Sequence, residues 1–166
     1  EVDFGIGPER ATSAEISAKP LFEMPFMVVF PQGHALEALP RICWSDVVQH
    51  PFIALQGQFT ERLALDLHVA LQKLTLHPSN EVAFMTTALS MVSARLGITA
   101  CLPYATSLVQ LHQLQMRPLY EPELRRTFQV YTRSNTSPSP AAEKFMEFLF
   151  AFVASHGWNT PGEQAD

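Results

Sequence analysis

Apolar residues along the chain fall in short extended blocks separated by stretches of helical period. Val2 to Gly7 (VDFGIG) is short, apolar and glycine-ended, which predicts a strand running into a tight turn. Pro8 to Lys19 is polar and small, a loop. Leu21 to Phe30 is a second extended run, dense in Phe, Met and Val. Within it Pro25 cannot donate to a ladder and belongs at an edge or bulge, and Pro31 stops the strand. Gln32 to Pro40 reads as a connection, Trp44 to Gln49 as a helical turn with Ser45 or Asp46 able to cap it, and Pro51 to Leu55 as a short buried strand. From Arg62 to Leu76 the spacing fits either period. The residues are Leu, Ala, Gln and Lys rather than β-branched, so helix is expected, opened by Thr60 and ended by Pro78. Glu81 to Phe84 is a brief strand. Thr86 or Thr87 caps the next helix, whose face is Ala88, Leu89, Val92 and Leu96, with Gly97 as its C-terminal stop. Ile98 to Leu102 is a strand closed by Pro103, Tyr104 to Leu111 a shorter helix, and Gln115 to Leu119 and Thr127 to Arg133 two further strands. Ser139 followed by Pro140 opens a last helix that runs to about Ser155, with Phe145, Phe148, Leu149 and Phe152 on one stripe. Gly157 to Asp166 is expected to be a flexible tail.

Strands alternating with helices predict an α/β class with a mainly parallel sheet. Pro51 to Leu119 is the uninterrupted unit, and the flanking stretches hold fewer elements, so one lobe reads as complete and the other as lacking pieces. Residue 1 is Glu rather than Met, so the polypeptide is expected to be processed or cut from something longer. Composition supports a globular chain: of 166 residues 47% are hydrophobic and 16% charged. A net charge of −5 argues against this stretch gripping nucleic acid. Cys43 and Cys101 sit among apolar neighbours and read as reduced thiols of a cytoplasmic protein rather than a disulfide framework. No apolar run approaches the roughly 18 residues that span a bilayer, and no secretory signal opens the chain, so no membrane partner is expected.

No catalytic constellation is visible. GIGPER lacks the third glycine of a dinucleotide loop, no phosphate-loop Lys-Ser/Thr follows, and no serine sits in a G-x-S-x-G elbow. The six histidines are scattered without ligand spacing, the thiols have no C-x-x-C partner, and neither a metal nor a cofactor is expected. Arg125 and Arg126 read as a solvent-exposed start of a strand. What remains is a ligand site. In open α/β sheets small ligands bind beyond the carboxyl ends of strands, where helix N-termini face an anion. Four such ends are readable: Gly7-Pro8, Gln56 to Thr60 (with Gln58 and Phe59), Met85 to Thr87, and Pro103-Tyr104. The threonines would also serve as plain N-caps. Together with Phe59, Phe84 and Tyr104 they outline a small-anion pocket with an apolar wall.

The order of motifs resembles a known family. VDFGIG, then PLFEMPFMVVFPQGHAL, WSDVVQHPFIAL, MVSARLGITACLP and FQVYTRSNTSPSPAAEKFMEFL look like the effector-binding domain of LysR-type bacterial transcription regulators. The counterparts are an aspartate-containing strand, a "pL … lv.P..H.L" strand and loop, an "l.dl..hpfI" segment, an "lV..GlGi..lP" helix and strand, and a "spaa..F…l" last helix. They keep order and spacing over residues 2–153. Gly97, Ile98 and Pro103, and the Pro31/His34 pair, are the most specific. Arg95-Leu96 departs from the Ala/Gly usual before the Gly-Ile element. The resemblance implies a two-lobed, periplasmic-binding-protein-like (type II) fold with mixed sheets and a first lobe truncated at its N-terminus. The lobes would be 1–44 with 120–156, and 45–119. It implies a small-molecule effector in the cleft, a homodimer or homotetramer, and DNA contact only through a winged helix-turn-helix absent from this chain. By position it carries over Gly7, Pro8, Gln56, Gln58, Phe84, Met85, Thr86 and Pro103 as pocket residues.

The alternative is a periplasmic solute-binding receptor of a transport system, which shares the fold idea without the DNA partner. An enzyme fails for want of a nucleophile, base or metal set. Exposed sheet edges in an incomplete lobe also predict self-association.

Overall fold

The structure is a computed structural model that describes residues 2–71 and 76–156; the expected tail, and residues 72–75 of the helix expected to reach Leu76, lie outside the described residues, while Leu76 itself is buried and not helical. The chain divides into two compact units, one formed by residues up to Met24 with those from Arg125 onward, the other by Pro25–Leu124.

The first unit is a three-stranded sheet in the order β1-β9-β2, with β1 (Phe4–Pro8), β2 (Ile16–Pro25) and β9 (Arg125–Arg133). β1 runs antiparallel to β9, with Phe4 opposite Thr132 and Pro8 opposite Phe128. The loop expected over Pro8 to Lys19 is shorter than its polar composition suggests, because β2 already begins at Ile16. Helix α5 (Pro140–Ser155) opens at Ser139, whose Oγ accepts the Ala142 N–H at 3.3 Å. Asp3 anchors that start: its carboxylate accepts the Ser139 N–H at 3.2 Å and the Ser139 hydroxyl at 3.1 Å. Of the stripe expected on α5 only Leu149 packs on the sheet. It joins Val153, Met146 and Phe150 against Leu21, Val130, Phe4 and Phe22, whereas Phe145, Phe148 and Phe152 are exposed. Arg125 is exposed beside Glu23, at 3.7 Å, but Arg126 is buried, so the expected exposed basic pair is half corrected.

The second unit carries the larger sheet. β3 (Met27–Pro31) is central, antiparallel both to β7 (Thr99–Cys101) and to β8 (Leu114–Tyr120), and β4 (Ile42–Cys43) adds in parallel to β8. β5 (Phe52–Leu55) pairs in parallel with β6 (Pro78–Val82) and, through a parallel bridge from Phe52 to Ile98, with the run into β7. The sheets are therefore mixed rather than mainly parallel, because β3 and its two neighbours are antiparallel. Pro25 ends β2 and Pro31 ends β3, so the single run expected from Leu21 to Phe30 becomes two strands in two units.

Four helices belong to this unit among the described residues: α1 (Trp44–Val47), α2 (Gln58–Leu71), α3 (Met85–Ser93) and α4 (Thr106–Leu111). Asp46 caps α1 by accepting the Cys43 N–H at 2.8 Å. Val29, Ile53, Ala88, Leu89, Val92, Cys101, Ala105 and Val109 form the core under α3, while Leu96, expected on its buried face, is 56% exposed. Two contacts lock β5 to β7. The buried Thr99 hydroxyl donates to the Ile53 carbonyl at 2.7 Å. Gly97 passes so close to Pro51 that a Cβ there would lie 2.5 Å from the Pro51 carbonyl oxygen.

Candidate functional site

β5, β6 and the run into β7 are parallel neighbours, so their carboxyl ends lie at one edge of the Pro25–Leu124 unit. β5 continues through Gln56 and Gly57 into α2, β6 through Ala83 and Phe84 into α3, and β7 through Leu102 into a 3-10 turn over Pro103–Ala105. The Gln56 N–H donates to the Val82 carbonyl at 2.9 Å, which ties the first two ends together. Gln56, Thr60, Phe84, Met85, Thr86, Pro103 and Tyr104 are thus brought to one edge. Gln58 and Phe59 open α2 there too, with side chains outside the described residues. Gly57, between the two glutamines, was not singled out by sequence. Its φ of 87° is what turns β5 into α2, and a Gly between a strand and a helix was the available signal.

The threonines do not cap. Thr60 lies inside α2, its N–H on the Gly57 carbonyl at 3.2 Å. Phe84, the last residue in extended conformation, is the N-cap of α3 and makes no side-chain cap bond, so Thr86 and Thr87 fall in the first turn. The first intrahelical bond runs from the Ala88 N–H to the Phe84 carbonyl, at 3.1 Å. Helix geometry therefore leaves the N–H groups of Met85, Thr86 and Thr87 pointing outward at the positive end of the helix dipole. The first turn of α3 holds no acid, whereas that of α2 holds Glu61. The positive end of the α3 dipole therefore meets no acid of its own first turn, unlike that of α2. Phe84 and Tyr104, 70% and 57% exposed, supply apolar surface at the same edge.

Burial favours the protonated form of two groups near this edge. Burial pushes the Cys101 thiol up to about 12, so it is no nucleophile at neutral pH. Burial, and then Cys101, also raise the Tyr104 phenol. Among the described residues no group of three or more His, Cys, Asp or Glu could hold a metal ion.

Gly7 and Pro8 belong to the first unit, at the carboxyl end of β1. The Pro8 carbonyl accepts the Tyr131 hydroxyl at 2.7 Å, and the Arg10 guanidinium lies 5.2 Å from the Tyr131 ring centre. Two surface cavities open on this unit, of about 240 and 490 Å³, and none of the expected site residues line them.

Known proteins give this geometry a family. A family model described as the LysR substrate binding domain matches residues 1–154. YbhD, an uncharacterized HTH-type transcriptional regulator of Escherichia coli (strain K12), is 31% identical over 149 residues, which cover 90% of this chain and 47% of its own length. The chain therefore spans about half of that relative. The BenM effector binding domain with its effector benzoate superposes with a TM-score of 0.83 at 20% identity, over 99% of this chain and 75% of its own. The effector binding domain of QuiR in complex with shikimate gives 0.79 at 20% identity, over 93% and 73%. The mixed sheets, the two units and the order of motifs are those of the type II periplasmic-binding-protein-like fold, and the chain belongs to the LysR substrate binding domain family.

Proposed function

We propose that this chain is the effector-sensing part of a LysR-type transcription regulator and that it receives a small carboxylate at the carboxyl ends of β5, β6 and β7. The observation that carries the reading is the uncapped, acid-free first turn of α3, set beside two exposed aromatic rings in a chain matched by the family over residues 1–154. The amides of Met85 to Thr87 would hold the carboxylate, and Phe84 and Tyr104 would cover an apolar body. Benzoate and shikimate, the ligands of two proteins with this fold, are both ring carboxylates. Gly7 and Pro8 are proposed as further contacts. The effector works by binding one arrangement of the regulator better than another. DNA is read by a helix-turn-helix outside this chain, the regulator acts in the cytoplasm as a homodimer or homotetramer, and no step is catalysed. The match to a regulator family disfavours the transport-receptor alternative.

Benzoate and shikimate titrated into the chain test this. Binding raises the unfolding free energy by about 2.7 kcal/mol at a hundredfold excess over Kd. Thr86→Asp separates binding from folding. A carboxylate in the first turn of α3 stabilises the helix by about 0.3–1 kcal/mol and repels the ligand, so stability rises while affinity falls. An unchanged affinity in that variant places the anion elsewhere.

A further inference from the structure

The turn after β3 holds a cluster that the proposed site does not use. It runs from Pro31 through Gly33, at φ 72°, into a short 3-10 turn over Ala35–Ala38. His34 caps it: Nδ1 accepts the Leu36 N–H at 3.2 Å, so that nitrogen carries no proton. The His34 ring lies 5.7 Å from Phe30 and meets His50 edge to face at 4.6 Å. Arg95, just past α3, donates from Nη2 to the Gln32 carbonyl at 2.9 Å. Its backbone holds a φ of 60°, a conformation that costs an L residue and favours glycine. Glu37 is the acid of the turn, and its carboxylate accepts the Gly33 N–H at 2.6 Å; from β8 the Arg117 guanidinium donates to the Leu36, Glu37 and Pro40 carbonyls at 3.4, 3.4 and 2.9 Å. Burial first, then His50 and Arg95, hold the His34 imidazole below its ordinary 6.5.

We propose that His34, His50 and Arg95 form an acid-sensitive clasp that ties the carboxyl end of α3 to the turn after β3 and loosens when His34 takes up a proton. This goes beyond the effector reading and does not depend on it. A proton on Nδ1 removes the acceptor for Leu36 and places a cation beside His50 and the Arg95 guanidinium. The released state takes up that proton at the ordinary value, before the clasped state does. The clasp is therefore intact above 6.5 and weakens as pH falls through that value towards the lowered one. The other end of α3 presents the Met85 to Thr87 amides, so the clasp makes their positioning depend on pH.

The test is an NMR titration of the chain from about pH 8 to about pH 5, following the histidine imidazoles and amide exchange. His34 should titrate below 6.5. Protection of the Leu36 N–H, corrected for intrinsic exchange, should fall about tenfold for each unit separating the two pKa values. His34→Asn keeps an uncharged acceptor and should flatten that pH response. Arg95→Gly relieves the backbone and removes the cation, so it should move the His34 midpoint up towards 6.5. A His34 midpoint at or above 6.5, an unmoved midpoint in Arg95→Gly, or an undiminished response in His34→Asn overturns the clasp.

Discussion

Arg95 and Gly97 show how differently neighbouring residues can end a helix. The Arg95 N–H donates to the Val92 carbonyl and the Leu96 N–H to the Met91 carbonyl, at 2.9 and 3.0 Å. That is a Schellman motif with arginine at the left-handed position where glycine is the default. Gly97, expected as the stop, has another duty: it lets the chain pass the Pro51 carbonyl. Arg95→Gly and Arg95→Ala both lose the bond to Gln32, but only glycine relieves the backbone, so the Gly variant should be the more stable by about 1 kcal/mol in urea unfolding. Gly97→Ala should cost about 1–3 kcal/mol, because the opposing atom is backbone and cannot swing away. An Ala variant as stable as wild type would show that β5 and β7 separate more easily than their hydrogen bonds suggest. The sequence showed a glycine near the end of an apolar period, and that was legible. Which of two positions so close together needs a left-handed backbone depends on what the next strand packs against, and no local pattern holds that information.

At the scale of elements, α5 was legible in extent and cap but not in facing. Pro140–Ser155 and the Ser139 cap follow from an N-cap serine before proline. The helix is apolar nearly all round, so its sequence offered two stripes, and large phenylalanines made the wrong one look like the core. The sheet chose the other, because Val153, Met146 and Leu149 fit between Leu21, Val130 and Phe22. Val153→Ala should therefore cost about 2 kcal/mol, while Phe148→Ser should stay within about 0.5 kcal/mol of wild type. Thermal unfolding of both variants checks this, and equal losses would mean that the phenylalanine face is packed in solution. The candidate site was legible for a different reason. Strand ends and helix starts are marked by Gly, Pro and Thr, so residues from three loops could be grouped before their strands were known to be neighbours. The capping roles were not legible, because one residue of difference in where a helix starts turns a cap into a first-turn residue.

For the whole molecule, the decisive fact is that Pro25–Leu124 is one continuous stretch while the other unit is built from two separated ones. The ends of the continuous stretch meet: the Phe26 N–H donates to the Leu124 carbonyl at 3.0 Å, and the Leu119 N–H to the Phe26 carbonyl at 3.3 Å. Its core is its own, from Val29 and Ile53 to Ala88, Leu89 and Val92. The expected boundary after residue 44 would have separated β3 from β7 and β8, the strands to which it is hydrogen-bonded. Hydrophobic period shows where a strand is, but pairing across many residues decides which unit owns it. A fragment spanning Pro25–Leu124 should therefore fold alone, with a cooperative thermal transition and dispersed amide resonances. It should also keep the His34 titration of the full chain, since every group of that cluster lies within it. The first unit has the opposite dependence. Its β1 and β9 come from opposite ends of the sequence and meet only once Met24 and Arg125 are brought close, a closure that the folded Pro25–Leu124 stretch supplies. A broad, non-cooperative melt of the isolated fragment would reverse this order and make the continuous stretch the dependent partner.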